Sequence, residues 1–199
     1  MLELCETIES GNCLIASPMI PMDPHFDRTV ILLTDHEEEL GTSGLVLNRP
    51  VPEDHRAPMS TMICGSELRS HFLTGGPVGL DQAFCLIDTS LPPDSGLALP
   101  ESRELLSGVQ QPADFEETLE SISSGILPEE RVHFFRGYAG WEPGQLQSEL
   151  SEQVWIMVRT PGDDLLSGSR EDLWSRLLNQ SGDPGHKIWS QWPYDGSLN

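Results

Sequence analysis

Two clusters of acidic residues and histidines carry the side chains of this sequence that could hold a metal ion. They are DPHFD at residues 23 to 27 and DHEEE at residues 35 to 39. Carboxylates and imidazoles are usual ligands of divalent cations, so Asp23, His25 and His36 are the candidate ligands of a metal-assisted hydrolase. The clusters flank one predicted strand, however, and about eight residues of strand would separate them by ~26 Å. The spacing therefore favours two solvated acidic loops, and the metal site stands as the alternative.

A glycine-rich stretch, RGYAGWEPGQLQSEL at residues 136 to 150, leads into a helix-forming segment. Such a turn can bind phosphate, because helix-terminal N–H groups point at the anion. The glycine spacing matches neither phosphate-binding pattern, and Glu142 would repel an incoming phosphate. We therefore predict a packed strand-turn-helix corner, whose Tyr138, Trp141 and Gln145 are candidates for lining a ligand or partner site.

Motifs of nucleophilic enzymes are missing from the sequence. There is no G-x-S-x-G, and no base is placed to activate Cys64 or Cys85, so we predict no catalytic residues and no cofactor, and lean against an enzyme.

Two short turns add candidates for the ligand or partner site. Arg49, after Asn48 at the end of a predicted strand, either neutralises local carboxylates or marks the place of an anionic ligand. Gly75 and Gly76 predict a tight turn, or a point where the backbone approaches another group closely.

The charge of the chain argues against nucleic acid as a direct partner. Eleven Lys and Arg residues face 32 Asp and Glu residues, a net charge of −21, and Lys187 is the only lysine. Non-specific DNA binding depends on clustered basic residues that displace counterions. The first ten residues lack the features of a secretory signal, and no apolar run is long enough to span a bilayer. A cytoplasmic location without a membrane partner is therefore expected.

Short apolar runs bounded by glycine and proline predict the strands that must position these residues. The predicted strands are at 13–17, 28–35, 44–48, 83–88, 132–138 and 154–158, with a possible further strand at 97–99. Helices are predicted at 2–8, 112–123, 145–150 and 169–180. Strands outnumber helices and do not alternate with them, which indicates one α+β domain over 1–199 with a mixed, largely antiparallel sheet flanked by helices. Residues 50–70 are expected to be an irregular excursion, and the aromatic tail at 182–199 to pack on the body.

Seven sequence blocks in order resemble the bacterial YqgE/AlgH family. They are LIASP at 14–18, with the DP, F and R that follow at 23–28; His36; GLVLNRP at 44–50; GGPV at 75–78; GYAGWEPGQL at 137–146; Trp155; and the terminal SLN at 197–199. The resemblance covers nearly the whole chain, with no clear match around 89–110. It implies an α+β domain around a mixed sheet curved into a half-barrel. It also implies a cytoplasmic role in transcriptional regulation and brings no catalytic residues to carry over.

Three functions follow from these observations. The first is a non-enzymatic regulatory or binding protein that acts through a protein or a small ligand, as the charge favours. The alternative is a metal-assisted hydrolase, and the least favoured function is a regulator that binds DNA directly. The sequence names neither the partner nor the oligomeric state.

Overall fold

Strands make up most of the secondary structure. The computed structural model describes residues 2–18, 25–51, 71–90 and 98–191. Ten strands in these ranges belong to one sheet. They are β1 (Glu3–Leu4), β2 (Cys13–Ala16), β3 (Val30–Glu37), β4 (Gly41–Val46), β5 (His71–Thr74), β6 (Val78–Asp88), β7 (Ser102–Leu106), β8 (Val109–Pro112), β9 (Val132–Trp141) and β10 (Trp155–Arg159). The α-helices in these ranges are α1 (Phe115–Ser123), α2 (Gln145–Ser151), α3 (Gly162–Leu166), α4 (Leu173–Gln180) and α5 (Pro184–Ser190).

The long strand β9 joins the two halves of the sheet. The strand order is β1-β10-β2-β3-β4-β9-β6-β8-β7, with antiparallel neighbours throughout, and β5 pairs with β9 in parallel. Residues 132–136 of β9 lie between β5 and β6, whereas residues 139–141 pair with β4. The prediction of an α+β fold with a mixed, largely antiparallel sheet is confirmed.

The sheet is so strongly curved that β7, at one end of the strand order, contacts β3 near its middle. Five strand-to-strand steps separate β3 from β7, which in a flat sheet would amount to about 24 Å. Nevertheless, Nη2 of Arg103 on β7 donates to the backbone oxygen of Thr34 on β3 at 2.8 Å. A Cβ on Gly11, which precedes β2, would lie 2.0 Å from the backbone oxygen of Leu105 on β7. The half-barrel expected from the family resemblance is therefore present.

Gly75, Gly76 and Gly137 allow the turn at 75–76 to lie directly against β9 where the two halves of the sheet meet. Gly137 lies in the middle of β9 with a φ of +67°, and a Cβ there would approach the backbone oxygens of Gly76 and Val78 to 2.7 Å. A Cβ on Gly75 would lie 2.3 Å from the oxygen of Gly137. Real Cβ atoms do not approach backbone this closely, so the turn at 75–76 and the bend in β9 require glycine together.

The buried side chains in the described part of the chain form three apolar cores on the two sides of the curved sheet. The inner core fills the concave side, where α3 and α4 close it with Leu165, Leu166, Leu173, Trp174 and other buried side chains. On the outer side, α2 covers β2, β3 and β10, and α1 covers β6 and β9. The broad apolar face predicted for the helix near 169–180 is thus buried as expected.

Several boundaries differ from the predictions. The helix predicted at 2–8 is wrong, because this segment forms β1 and the N–H of Cys5 donates to the backbone oxygen of Met157 on β10 at 3.0 Å. The helix predicted from residue 112 begins at Phe115, because the carboxylate of Asp114 accepts the N–H of Glu117 at 2.9 Å and caps α1. Pro112 is the last residue of β8. The later helix begins at Leu173 rather than at residue 169.

The β7–β8 hairpin and the short helices α3 and α5 were not predicted. Residues 98–99 of the possible strand at 97–99 lie outside any strand, and β7 begins at Ser102.

Parts of two further predictions fall outside the described residues. These are residues 52–70 of the irregular excursion and residues 192–199 of the aromatic tail. The described part of the tail forms α5, and Trp189 packs against the inner core. No helix in the described ranges is long and apolar enough to cross a membrane.

Candidate functional site

A bulge in β3 brings two consecutive polar side chains to the same cavity. Leu33 pairs with Gly44 and Asp35 pairs with Ser43, so Thr34 is the extra residue. In a regular strand, neighbouring side chains point to opposite faces. The bulge removes this alternation locally, and Thr34 and Asp35 both line the cavity.

The cavity measures about 290 Å³ and lies on the concave side, where β3 and β4 face β6, β8 and β9. Its lining combines hydroxyl, carboxylate and amide groups with an apolar wall. The lining residues are Thr34, Asp35, Ser43, Leu45, Gln82, Phe84, Gln111 and Tyr138. A second cavity of about 210 Å³, beside Glu3 and Arg159 at the β1 edge, is more open to solvent.

Arg103 ties the polar wall of the cavity together. Its Nη2 group donates to Oδ1 of Asp35 at 2.6 Å and to Oε1 of Gln111 at 2.7 Å, besides the backbone oxygen of Thr34. The hydroxyls of Thr34 and Ser43 lie 3.0 Å apart and share a hydrogen bond. The polar groups of β3, β4, β7 and β8 are therefore held in fixed relative positions.

Two aromatic rings form the apolar wall. Phe84 and Tyr138 meet edge to face, with ring centroids 5.8 Å apart and an interplanar angle of 74°. Both are partly buried and pack against the inner core. The inner core therefore holds the two rings on one side, and they line the cavity on the other.

A model of the AlgH-like family matches residues 13–185. The chain belongs to the AlgH-like family. A UPF0301 protein of Streptomyces coelicolor is 35% identical over 193 residues, covering 96% of this chain and 95% of the relative. A UPF0301 protein of Bacteroides thetaiotaomicron is 30% identical over 197 residues, covering 95% and 90%.

Two solved structures share the fold. The solution structure of the AlgH protein from Pseudomonas aeruginosa has a TM-score of 0.64 and 28% identity, and covers 93% of this chain and 95% of that one. The crystal structure of protein DIP2367 from Corynebacterium diphtheriae has a TM-score of 0.70 over 94% of both chains. At 21% identity, the second similarity concerns the fold alone.

The structure separates the three candidates of the GYAGWEPGQL block, one of those that resemble the AlgH-like family. Tyr138 faces the cavity. Trp141 lies in the core on the outer side, where its Nε1 donates to Oε2 of Glu149 at 2.8 Å. Gln145 opens α2, and its Nε2 donates to Oε1 of the same Glu149 at 2.8 Å. Strand alternation places Tyr138 and Trp141 on opposite faces of β9, and Gln145 lies on α2, so of the three only Tyr138 lines the cavity.

Asn48 and Arg49 hold the start of β3. Oδ1 of Asn48 accepts the N–H of Val30 at 2.9 Å, and its Nδ2 donates to the oxygen of Arg28 at 2.8 Å. Arg49 donates through Nη2 to the backbone oxygen of Asp27. These bonds satisfy backbone groups where β3 begins, so the two side chains position the strand whose other end carries Asp35.

The metal-ligand candidates lie apart. Nδ1 of His36 hydrogen-bonds to the hydroxyl of Thr42, the residue that pairs with it on β4, at 2.8 Å. His25 is exposed and lies in the turn before β3, whereas His36 lies near the other end of that strand, six residues after Val30. Asp23 lies outside the described residues. Within the ranges that the structure describes, no three His, Cys, Asp or Glu residues are grouped so as to hold a metal ion.

Burial makes two of the thiols poor nucleophiles. It raises the pKa of the Cys85 thiol from its ordinary value of 9.0 to about 12, and it raises the pKa of Cys13 further still. A thiol that stays protonated at neutral pH does not supply the reactive thiolate. Cys64, the other candidate nucleophile, lies outside the described residues.

His133 is a buried polar residue on β9, five residues before Tyr138. Arg170 donates to Nδ1 of His133 at 3.0 Å and to the backbone oxygen of Leu165 at 2.7 Å. Burial, and after it the charge of Arg176, lowers the pKa of Arg170 to about 10. The two bonds link the loop before α4 to β9 and to α3.

Most residues that line the cavity were not predicted from the sequence as site residues. No recognised motif includes the cavity residues Thr34, Ser43, Gln82, Phe84 and Gln111. The contact that closes the sheet beside them joins Thr34 to Arg103, which are 69 residues apart in the sequence. Asp35 was noticed only as part of an acidic cluster. The bulge that turns it inward depends on pairing with β4, so the order of residues in β3 gave no signal for it.

Proposed function

We propose that this chain is a non-enzymatic regulatory protein of the cytoplasm that binds a small ligand in the 290 Å³ cavity. The observation that carries the proposal is the composition of the wall. A few polar side chains converge beside two aromatic rings, which is the arrangement of small-molecule sites in general. The network around Arg103 holds these groups in place before a ligand arrives, which lowers the entropy cost of binding.

The regulatory part of the proposal follows from where the cavity lies. It lies between strands of both halves of the sheet, so a ligand that contacts Asp35 and Gln111 bridges β3 and β8, close to the contact between β3 and β7. Occupancy would therefore stabilise the closed half-barrel, and a protein partner could distinguish the filled form from the empty one. The net charge of −21 supports a readout through protein or ligand rather than through DNA.

Retention of a native ligand tests the proposal. The full chain is isolated from a lysate under native conditions, and bound compounds are detected by native mass spectrometry. We expect the wild type and Gln82→Ala to retain a small molecule that Gln82→Trp loses, because an indole at position 82 fills the cavity. Urea unfolding establishes that both variants are folded. Absence of any retained compound, or equal retention by Gln82→Trp, would contradict the proposal.

A further inference from the structure

Among the residues that the structure describes, one formal charge lines the cavity, the carboxylate of Asp35. The other seven lining residues are uncharged at neutral pH. Oδ1 of Asp35 accepts the bond from Arg103, whereas Oδ2 accepts no hydrogen bond from any residue that the structure describes. A carboxylate has room for several donors, so Asp35 can accept a further one from a ligand.

The Nη2 group of Arg103, the part of the guanidinium that contacts Asp35, is already engaged. Its two N–H groups are shared among three acceptors, which belong to Thr34, Asp35 and Gln111. An anionic ligand that sought this group would compete with Asp35 for it. A cationic ligand adds a donor to Asp35 and leaves the three bonds intact, so the local charges favour a cation.

The aromatic wall and the overall field favour an apolar body that carries a positive charge. Phe84 and Tyr138 place two rings in the wall, against which an apolar body can pack. The chain carries a net charge of −21, and a cleft in a strongly negative protein concentrates cations from solution.

From these observations we propose that the ligand is a small organic cation, an ammonium group carried on a flat apolar body. The ammonium would donate to Asp35, and the body would lie against Phe84 and Tyr138. A cavity of this size has the volume of roughly ten water molecules, which suits a body of about one ring and a short side chain. This inference rests on the proposed function, because it names the class of ligand that the same cavity binds.

Three probes of nearly equal shape and different charge test the inference. They are 2-phenylethylammonium, 2-phenylethanol and phenylacetate, each titrated into the full chain while amide chemical shifts are followed. We expect the cation to shift the amides of Asp35, Gln82 and Gln111 in a saturable way, and to bind roughly tenfold or more tightly than the alcohol. Its affinity should fall as salt is raised, because salt screens the charge interaction.

Two variants with the same change in net charge serve as test and control. Asp35→Asn should weaken binding of the cation roughly tenfold or more, since it removes the charged acceptor and keeps the shape. Glu116→Gln should leave the affinity unchanged, because Glu116 is exposed on α1, which covers the outer side of the sheet. Phe84→Leu, which keeps the carboxylate, should weaken the cation and the alcohol by similar factors, because both would place their ring against Phe84.

The outcomes separate the inference from the proposed function. If the alcohol or phenylacetate binds the cavity as tightly as the cation, or if Asp35→Asn binds the cation as well as the wild type does, the ligand class is wrong. Failure of the cation to shift the cavity amides at millimolar concentration also overturns it. Retention of a native compound in a cavity-dependent manner is measured separately, and decides whether the proposed function stands.

Discussion

Nη2 of Arg103 donates to Oδ1 of Asp35 at 2.6 Å and thereby connects the far strand of the sheet, β7, to β3 in its middle. The two side chains are 51% and 54% exposed, so the charge interaction alone contributes little to stability. The same nitrogen also bonds to the backbone oxygen of Thr34. The contact therefore matters chiefly because it holds the half-barrel closed beside the cavity.

Removal of Arg103 should cost more stability than removal of the charge of Asp35. Arg103→Ala loses the bonds to Thr34, Asp35 and Gln111, and we expect a loss of about 1–2 kcal/mol in the free energy of unfolding. Asp35→Asn keeps the bond to the Thr34 backbone and should cost less than about 1 kcal/mol. Urea unfolding of both variants measures the difference. Equal stability of Arg103→Ala and the wild type would show that the closure does not depend on this residue.

Glu149→Gln should loosen the corner at the start of α2. Oε2 of Glu149 accepts the indole N–H groups of both Trp141 and Trp155, at 2.8 and 2.6 Å, and the rings lie edge to face. A glutamine can turn its carbonyl oxygen to this position but loses the charge, so we expect a loss of about 2 kcal/mol and a change in tryptophan fluorescence.

The exposed Glu152, one residue past the end of α2, provides the matched control. Glu152→Gln should change the free energy of unfolding by less than about 0.5 kcal/mol. Similar losses in the two variants would contradict the special role of Glu149.

A pair of glycine variants separates backbone strain from steric overlap. Gly137 and Gly144 have nearly equal φ values of +67° and +79°, but a Cβ on Gly144 would meet nothing within 4 Å. Gly144→Ala should therefore cost only the strain of a left-handed residue, about 1–2 kcal/mol. Gly137→Ala adds overlap with the turn at 75–76 and should cost at least about 1 kcal/mol more. Urea unfolding compares the two, and equal losses would mean that the crossing has room for a methyl group.

The buried thiols should make the protein less stable in alkali. The folded-state pKa of Cys85 is raised to about 12, whereas the thiol of an unfolded chain ionises near its ordinary value of 9.0. Between these values the unfolded state loses protons that the folded state keeps, so the stabilisation present below pH 9 is lost as pH rises toward 12. Cys85→Ala should show a smaller fall in the free energy of unfolding between pH 8.5 and 10.5, a window of about two pH units.

Thiol labelling at pH 8 gives an independent check on burial. Cys13 and Cys85 should be spared by a thiol reagent in the native protein and labelled in denaturant, with the sites read by peptide mass spectrometry. Rapid labelling of either residue in the folded protein would contradict its burial.

Local patterns predicted the elements of this fold better than its assembly. The strand 13–17 and the apolar face of α4 follow from short apolar runs and helical spacing, and the structure confirms both. The segment at 2–8 was predicted as a helix because local composition does not show that β10 offers it an edge. The hairpin of β7 and β8 mixes polar and apolar residues without a clear alternation, so its strands gave no signal.

The site was less accessible to prediction than the fold. Tyr138 was identified because it belongs to a block of glycines and aromatic residues, but Trp141 and Gln145 of the same block face the outer side. Including Tyr138, the residues that line the cavity come from five strands, and contacts such as that between Arg103 and Thr34 depend on the curvature of the whole sheet. Only the three-dimensional structure brings them together.

The central claim is that a small ligand enters the cavity beside Tyr138, and NMR of ring-labelled tyrosine tests it most directly. The chain has two tyrosines, Tyr138 and Tyr194, and Tyr194→Phe assigns their signals. On addition of the low-molecular-weight fraction of a native lysate, the account predicts a saturable shift of the Tyr138 signal that Gln82→Trp abolishes. A Tyr138 signal that does not move, or that moves equally in Gln82→Trp, would contradict it.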